Sequence, residues 1–265
     1  MIEWQDVHVR YPGATVDAIA GVSFTVALGQ VTAVVGPNGS GKSTLVRALL
    51  KRVSLRSGRI LMAGSDVSAL SQRELARRVA VVVQREEPAF PIRARDYVAL
   101  GRTPYADSWS GAGDSRATAA IEEAVGMADV SSLLDRHTDE LSGGEWQRLR
   151  LARAIAQESP AIVLDEPTTF LDIAHEMAAF ELLAGLAQRG RAVLAVSHQL
   201  NLVSRFADHV ILLNRGRIAA AGSPDDVMRA SVLEAVYEWP LVVSRDPAVG
   251  APTLVPLRRT SNLRR

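Results

Sequence analysis

Cysteine is missing from all 265 residues, which excludes disulfides and thiolate metal sites and sets the expectation of a reducing compartment. No apolar run approaches the roughly 20 residues that a membrane-spanning helix needs, so the chain is not expected to cross a bilayer itself. The opening residues, Met1-Ile2-Glu3-Trp4, lack the basic-then-apolar pattern of a secretory signal. An excess of one charge is absent too. With 30 Lys+Arg against 29 Asp+Glu the formal net charge is +1, which gives no overall pull toward nucleic acid or anionic lipid. No internal repeat or low-complexity tract occurs, so a single unit is expected rather than a tandem pair. Lysine itself is scarce: the cationic residues are arginine except for Lys42 and Lys51. A lysine kept in such a chain marks a place where a compact ammonium suits and a planar guanidinium does not.

Lys42 lies in Gly36-Pro37-Asn38-Gly39-Ser40-Gly41-Lys42-Ser43, which fits the phosphate-cradling pattern G-x-x-x-x-G-K-[ST]. Its flanks give the pattern mechanical meaning. Val31–Val35 reads as a buried strand, and Ser43–Lys51, with Leu45, Ala48 and Leu49 at helical spacing, reads as a helix leaving the loop. Glycines let several backbone N–H groups face one anion, and the helix N-terminus adds its positive dipole end. In that arrangement Lys42 reaches the β- and γ-phosphates of a nucleotide, and the Ser43 hydroxyl is placed to ligate Mg²⁺.

Further along, Ala161-Ile162-Val163-Leu164-Asp165-Glu166 reads as a buried parallel strand whose C-terminal end opens at a ligand crevice. Asp165 is suited to hold Mg²⁺, directly or through a water. Glu166, one residue on, is the natural candidate to polarise an attacking water. A third element is Leu141-Ser142-Gly143-Gly144-Glu145 followed by Trp146-Gln147-Arg148. Ser142 and Glu145 make a capping box for a helix running through Gln157. A cap needs neither Gly143 nor Gly144, and paired glycines at a helix start are costly unless backbone must approach something closely.

This last segment resembles the signature motif of the ATP-binding cassette (ABC) superfamily, and the remaining motifs of that family follow in order over about residues 1–222. The resemblance implies an α/β, P-loop NTPase fold of the ABC ATPase type, with a RecA-like core, an antiparallel β subdomain and a helical subdomain. By position it makes Tyr11 the aromatic that stacks on adenine, Gln84 the Q-loop glutamine, Phe170-Leu171-Asp172 the D-loop and His198 the switch histidine. ATP is then expected against Tyr11, Gly36, Pro37, Asn38, Gly39, Ser40, Gly41, Lys42, Ser43 and Thr44, with Mg²⁺ at Ser43, Gln84 and Asp165. Glu166, His198 and Gln84 are the expected catalytic group. Ser142, Gly143, Gly144, Glu145 and Asp172 are expected to serve the ATP of a partner subunit, because in this family two chains face head to tail with nucleotide between them.

The same resemblance implies an ATPase driving a membrane importer: a homodimer joined to integral membrane permease subunits, peripheral on the cytoplasmic face of the inner membrane, served indirectly by an extracytoplasmic binding protein. Nucleic acid is not an expected partner. The alternative class is a soluble ABC ATPase of DNA repair or translation. Repair-type members insert a coiled coil or zinc module between phosphate loop and signature, and the interval from Lys42 to Leu141 has neither heptads nor cysteines. Within the importers, the stretch from Pro167 to His175 and Gly101-Arg102-Thr103-Pro104-Tyr105 resemble iron–siderophore ATPases, while Gly144-Glu145-Trp146-Gln147-Arg148 resembles those for cobalamin. Haem importers share the architecture.

The expected organisation is an ATPase domain over 1–239, with a helical subdomain at about 85–158, and a basic tail over 240–265. Strands near 2–10, 22–28 and 58–63 suggest the antiparallel portion, and strand–helix alternation over 141–222 suggests a parallel sheet. A turn at Asn214-Arg215-Gly216 joins the last two strands of that region, and Ser223-Pro224-Asp225-Asp226 reads as a helix start. Pro240–Arg265 carries five arginines against one aspartate, with Pro247, Pro252 and Pro256 opposing a helix. It is expected to be a loosely ordered, solvated tail. Gln84–Tyr105, with Glu86, Glu87, Phe90 and Pro91, is expected to dock the membrane partner, its acids meeting a basic coupling helix and one apolar anchor seating in a pocket.

Overall fold

The computed structural model describes residues 1–84, 86, 90–106, 115–166 and 172–258. Expectations resting on Glu87, on the loop Asp107–Asp114, on Pro167–Leu171 and on the last seven residues of the tail lie outside the described residues.

Chain order begins with β1 (Ile2–Val9) and β2 (Ile19–Val26), whose alternating burial marks strands with one face on a core. They pair antiparallel, and β1 pairs on its other side with β4 (Ser57–Met62), which turns into the short β5 (Ser65–Asp66). β2 starts at Ile19, three residues earlier than the sequence suggests, because Ile19 and Ala20 stay in register with Val9 and His8. On the buried face Trp4 stacks on Phe24 at 4.3 Å, a contact worth about 1 kcal/mol beyond the area it covers.

Between these strands the chain crosses to β3 (Val31–Val35), then α1 (Lys42–Leu49). After α2 (Gln72–Arg78) and β6 (Val79–Val82) comes the helical portion: α3 (Ala94–Ala99), α4 (Ser115–Met127) and α5 (Gly143–Ala156). β7 (Ala161–Asp165), α6 (Ile173–Gln188), β8 (Ala192–Val196), α7 (Leu200–Phe206), β9 (His209–Asn214) and β10 (Arg217–Gly222) complete the alternation. The central sheet has the order β10-β9-β3-β8-β7-β6, parallel apart from β10. β3, β7 and β8 are buried at every position, as strands covered on both faces must be. One core joins this sheet to the antiparallel one through Trp4, Val34, Leu45, Leu49, Val163 and Leu194. The other lies under the helices around Leu149, Ile155, Phe180, Leu183 and Leu233.

The C-terminal region departs from expectation. After α8 (Pro224–Val227) and α9 (Ala230–Tyr237), β11 (Leu241–Arg245) and β12 (Pro252–Pro256) pair antiparallel, so residues 241–256 form a hairpin rather than a loose tail. Its prolines do oppose a helix, but Pro252 and Pro256 sit at the ends of β12, where proline is tolerated in a strand. Val243 and Leu254 pack on the helix-side core. Asn201 of α7 bonds both backbone groups of Leu254, at 2.8 and 3.3 Å, and Ser204 donates to Pro252 O at 2.6 Å. Two of its charges are used internally: Arg245 pairs with Asp225, and Asp246 with Arg205.

Candidate nucleotide site

The phosphate-type loop runs from the end of β3 to the start of α1. Glycine is required at two of its positions for stated reasons. Gly36 has φ +147, and a Cβ there would lie 2.1 Å from the Leu213 carbonyl oxygen of β9. Gly41, at φ +107, is the N-cap of α1, and its Cβ would lie 2.6 Å from Ala18 O. Because Gly41 has no side chain, nothing caps α1, and its first turn carries no acid. The positive end of the helix is left to an anion from outside the chain.

Around this loop opens a cavity of about 830 Å³. Tyr11, Gly36, Pro37, Asn38, Gly39, Gly41, Lys42, Ser43, Thr44, Gln84, Glu166 and His198 all line it, so residues spread over nearly 190 positions meet at one place. Asp165 stands behind its wall, accepting a hydrogen bond from Ser43 Oγ at 3.1 Å. Ser40 Oγ is buried and has no hydrogen-bond partner among the described residues. Lys42 Nζ donates to Gly36 O at 2.8 Å and Pro37 O at 3.1 Å. Burial draws the Lys42 ammonium below its usual pKa, and the nearby Glu166 and Asp165 push the other way. Burial likewise holds the Asp165 carboxyl above the usual range, against the Ser43 hydrogen bond.

Glu166 follows β7 with φ +52, a left-handed conformation uncommon outside glycine. Its N–H still donates to Val196 O at 2.8 Å, extending the β7–β8 pairing by one bond while the backbone turns. The carboxylate accepts from Gln84 Nε2 at 2.5 Å and lies 3.8 Å from His198 Nδ1. Gln84 comes from the end of β6 and His198 from the end of β8, so three neighbouring parallel strands deliver the trio at their C-terminal ends. On the opposite wall Tyr11 shares a 3.2 Å hydrogen bond with Thr44 Oγ1, and Arg47 donates to its oxygen at 3.3 Å. Burial raises the Tyr11 pKa, but these two hydrogen bonds and the Arg47 charge outweigh it and leave the phenol below its usual value.

Ser142, Gly143, Gly144, Glu145 and Asp172 do not line this cavity. Ser142 caps α5 by accepting from Glu145 N at 3.3 Å, and Glu145 accepts from Ser142 N at 2.8 Å and pairs with Arg136 at 2.8 Å. A Cβ on Gly143 would meet nothing within 4 Å, so nothing among the described residues of its own chain demands glycine there. Asp172 caps α6, accepting from His175 N at 2.9 Å.

Two features escaped the sequence. Tyr237, at the end of α9, lines the same cavity, its hydroxyl pushed up to about 12 by burial. It looks like any tyrosine on a helix, and no local signal marks it. Glu86 is not a free docking acid. It accepts from Tyr97 Oη at 2.8 Å and Arg153 Nη2 at 3.1 Å, and lies 3.5 Å from Arg150 Nε, while its backbone oxygen accepts from Trp146 Nε1 at 3.0 Å. The expected acidic docking face therefore loses Glu86, because α5 supplies two arginines beneath it. Phe90 remains exposed.

A hemin import ATP-binding protein (HmuV) of Nocardia farcinica is 40% identical over 237 residues, 89% of this chain and 81% of that one. The ferric enterobactin transport ATP-binding protein (FepC) of Escherichia coli is 37% identical, covering 88% of this chain and 86% of its own. A cobalamin import ATP-binding protein (BtuD) of Halobacterium salinarum is 39% identical over 86% of this chain, which spans only 57% of that longer protein. Among solved structures, a transporter assigned to the metal-chelate type of ABC transporter, in an inward-facing conformation, superposes with a TM-score of 0.83 over 98% of each chain at 27% identity. The ABC transporter family model matches residues 19–169, more than half of the sequence, and with relatives of this length and identity the chain belongs to the ABC transporter family as an ATP-binding cassette.

Proposed function

We propose that this chain is the ATP-hydrolysing subunit of a membrane importer of metal chelates, working as a pair of cassettes that share two nucleotides. One observation carries the reading. Gln84, Glu166 and His198 converge with Lys42 and Ser43 on one cavity, while the signature residues Ser142 to Glu145 lie outside it. Half of a nucleotide site is thus present in one chain, and a second copy in head-to-tail orientation supplies the other half.

The loop N–H groups and Lys42 bind the phosphates, and Tyr11 and Thr44 border the end where the base and sugar lie. Glu166 takes a proton from water as the water oxygen attacks the terminal phosphorus; the bond from that phosphorus to the bridging oxygen breaks, and ADP and phosphate leave. Gln84 holds Glu166 before nucleotide arrives and exchanges that bond for the incoming ligand, so it reads nucleotide state. His198 contacts the terminal phosphate. Ser142 and the backbone at Gly143 and Gly144 cap the phosphate of the partner's nucleotide, and Asp172 reaches the seam. The Ser43 hydroxyl and Asp165 carboxylate, already 3.1 Å apart, fit Mg²⁺, which prefers hard oxygen ligands and fills its shell with phosphates and water. When bound, the ion neutralises charge on the phosphate oxygens.

Among the described residues no helix is long and apolar enough to cross a membrane, which accords with a peripheral subunit on the cytoplasmic face of the inner membrane that docks on separate permease subunits. An extracytoplasmic binding protein would hand the chelate to that permease. Relatives named for hemin, cobalamin and ferric enterobactin have nearly equal identities, 37–40%, so the cassette marks the chelate class and leaves the choice of cargo to the permease. Within that class the sequence segments at 101–105 and 167–175 favour iron–siderophore. The test is Glu166→Gln, which keeps the shape of the side chain and removes its basicity. Gel filtration should show an ATP-dependent dimer with hydrolysis abolished. A variant that stays monomeric with ATP, or still turns over, would remove Glu166 and the shared site from this account.

A further inference from the structure

Gly144 is the second residue of α5, and alanine is ordinarily the better helix former. Its backbone is not left-handed, so conformation does not demand glycine. Space does. A Cβ on Gly144 would lie 2.5 Å from Cδ2, 2.6 Å from Nε2 and 2.9 Å from Cγ of His175, in the first turn of α6. That imidazole is tied at its other edge: His175 Nδ1 is 2.7 Å from Asp172 Oδ1, the same oxygen that accepts from His175 N at 2.9 Å. One ring therefore touches the signature turn on one side and the cap of α6 on the other. A cavity of about 140 Å³, lined by Gly144, Gln147, Arg148, His175, Ala178 and Leu182 among others, opens beside the contact. The ring has room to swing aside, but only by giving up Asp172.

We propose that His175 is a positioning residue: its imidazole is a strut that sets the distance between Gly144 and Asp172, the two features through which one cassette reaches its partner's nucleotide. This rests on the shared-site reading above. Gly144 is then glycine for a reason internal to its own chain, whereas a methyl at Gly143 has open space among the described residues and points to a reason outside them. Asp172 is suited to its end of the strut. Its carboxyl is held below the usual range, first by the His175 backbone N–H and then by the ring, so it is ionised at neutral pH and keeps the bond.

The experiment uses the full-length protein with four variants: His175→Ala, Gly144→Ala, the two combined, and Glu166→Gln as the parent for dimer measurements. Three quantities are read: ATP affinity of the monomer, the ATP concentration that half-converts the Glu166→Gln parent to dimer, and kcat with Glu166 intact. His175→Ala should leave monomer affinity within about twofold, because the phosphate loop is untouched. It should raise the dimer midpoint and lower kcat by about tenfold, in the range of contact couplings between neighbouring residues. Gly144→Ala should lose at least as much, and the double variant should return to the level of His175→Ala alone, because the methyl then meets no ring. Two losses that simply multiply would show that only nucleotide demands Gly144 and would overturn the strut. So would a His175→Ala protein that dimerises and turns over normally, or one whose monomer affinity falls in step with its dimerisation. A Glu166→Gln parent that does not dimerise with ATP sinks the shared site itself, an outcome distinct from a normal parent with independent single effects.

Discussion

Replacing Glu86 tests how the segment after β6 is held. Its carboxylate is four-fifths covered and faces two guanidinium groups of α5, of which the Arg150 side chain is only 6% exposed. Burial lowers the Arg150 pKa, and Glu86 is the largest influence opposing that. Truncation leaves Arg150, among the described residues, with the neutral partners Gln147 Oε1 at 2.8 Å and Val83 O, and removes the acceptor of Tyr97. Breaking a fully buried pair from one side costs about 3–5 kcal/mol, whereas an exposed pair is worth about 0–1. With Glu86 partly exposed, Glu86→Ala should destabilise the isolated subunit by about 2–4 kcal/mol, a large share of a typical folding stability of roughly 5–15. Urea unfolding followed by tryptophan fluorescence suits the measurement, since Trp146 lies 4.7 Å from Tyr97 in the same cluster. Glu86→Gln, which keeps an acceptor for Tyr97, should lose less. Glu86→Arg adds a third guanidinium and should yield little folded protein, so impaired permease binding by such a variant would say nothing about docking. A loss below about 1 kcal/mol for Glu86→Ala would refute the reasoning and return Glu86 to the surface.

Tyr11→Ala should raise KM for ATP and leave kcat unchanged at saturation, because ring contact serves ground and transition states alike; a fall in kcat at fixed KM contradicts its placement beside the base. Tyr237→Phe keeps the ring in the core and should weaken ATP about tenfold in a direct binding assay, the effect of one hydrogen bond to a charged group, whereas unchanged affinity makes Tyr237 a wall and nothing more. The Glu145 carboxyl is held below the usual carboxylate range, first by the Ser142 backbone N–H. A lowered acid stabilises the fold above the unfolded pKa and loses that contribution as pH falls through the folded one, so the thermal deficit of Glu145→Gln should be full at neutral pH and shrink below about pH 4.5. A deficit that does not vary with pH would deny the ionised cap its role.

What the sequence determined by itself lies where chemistry is local. The loop Gly36–Ser43, the strand ending in Asp165 and Glu166, and the box of Ser142 with Glu145 each depend on backbone geometry or hydrogen bonds reaching no more than a few residues. Spacing alone exposes them. The strands Val31–Val35, Ala161–Asp165 and Ala192–Val196 are legible for a related reason, since burial on both faces forces an unbroken apolar run. Only the tertiary structure decided the rest. Glu86 meets Arg153 across 67 positions, and no pattern reaching four residues can say whether an acid has a cation beneath it. Tyr237 joins the cavity because α9 returns beside the phosphate loop. The last segment has the composition of a tail, yet becomes a hairpin because α7 supplies Asn201 and Ser204 to hold it. Two adjacent glycines, alike in the sequence, part company in space: Gly144 faces an imidazole from another helix, and Gly143 faces nothing among the described residues. Periodicity and local hydrogen bonding are properties of a segment, whereas desolvation and steric contact belong to whatever the fold brings against it.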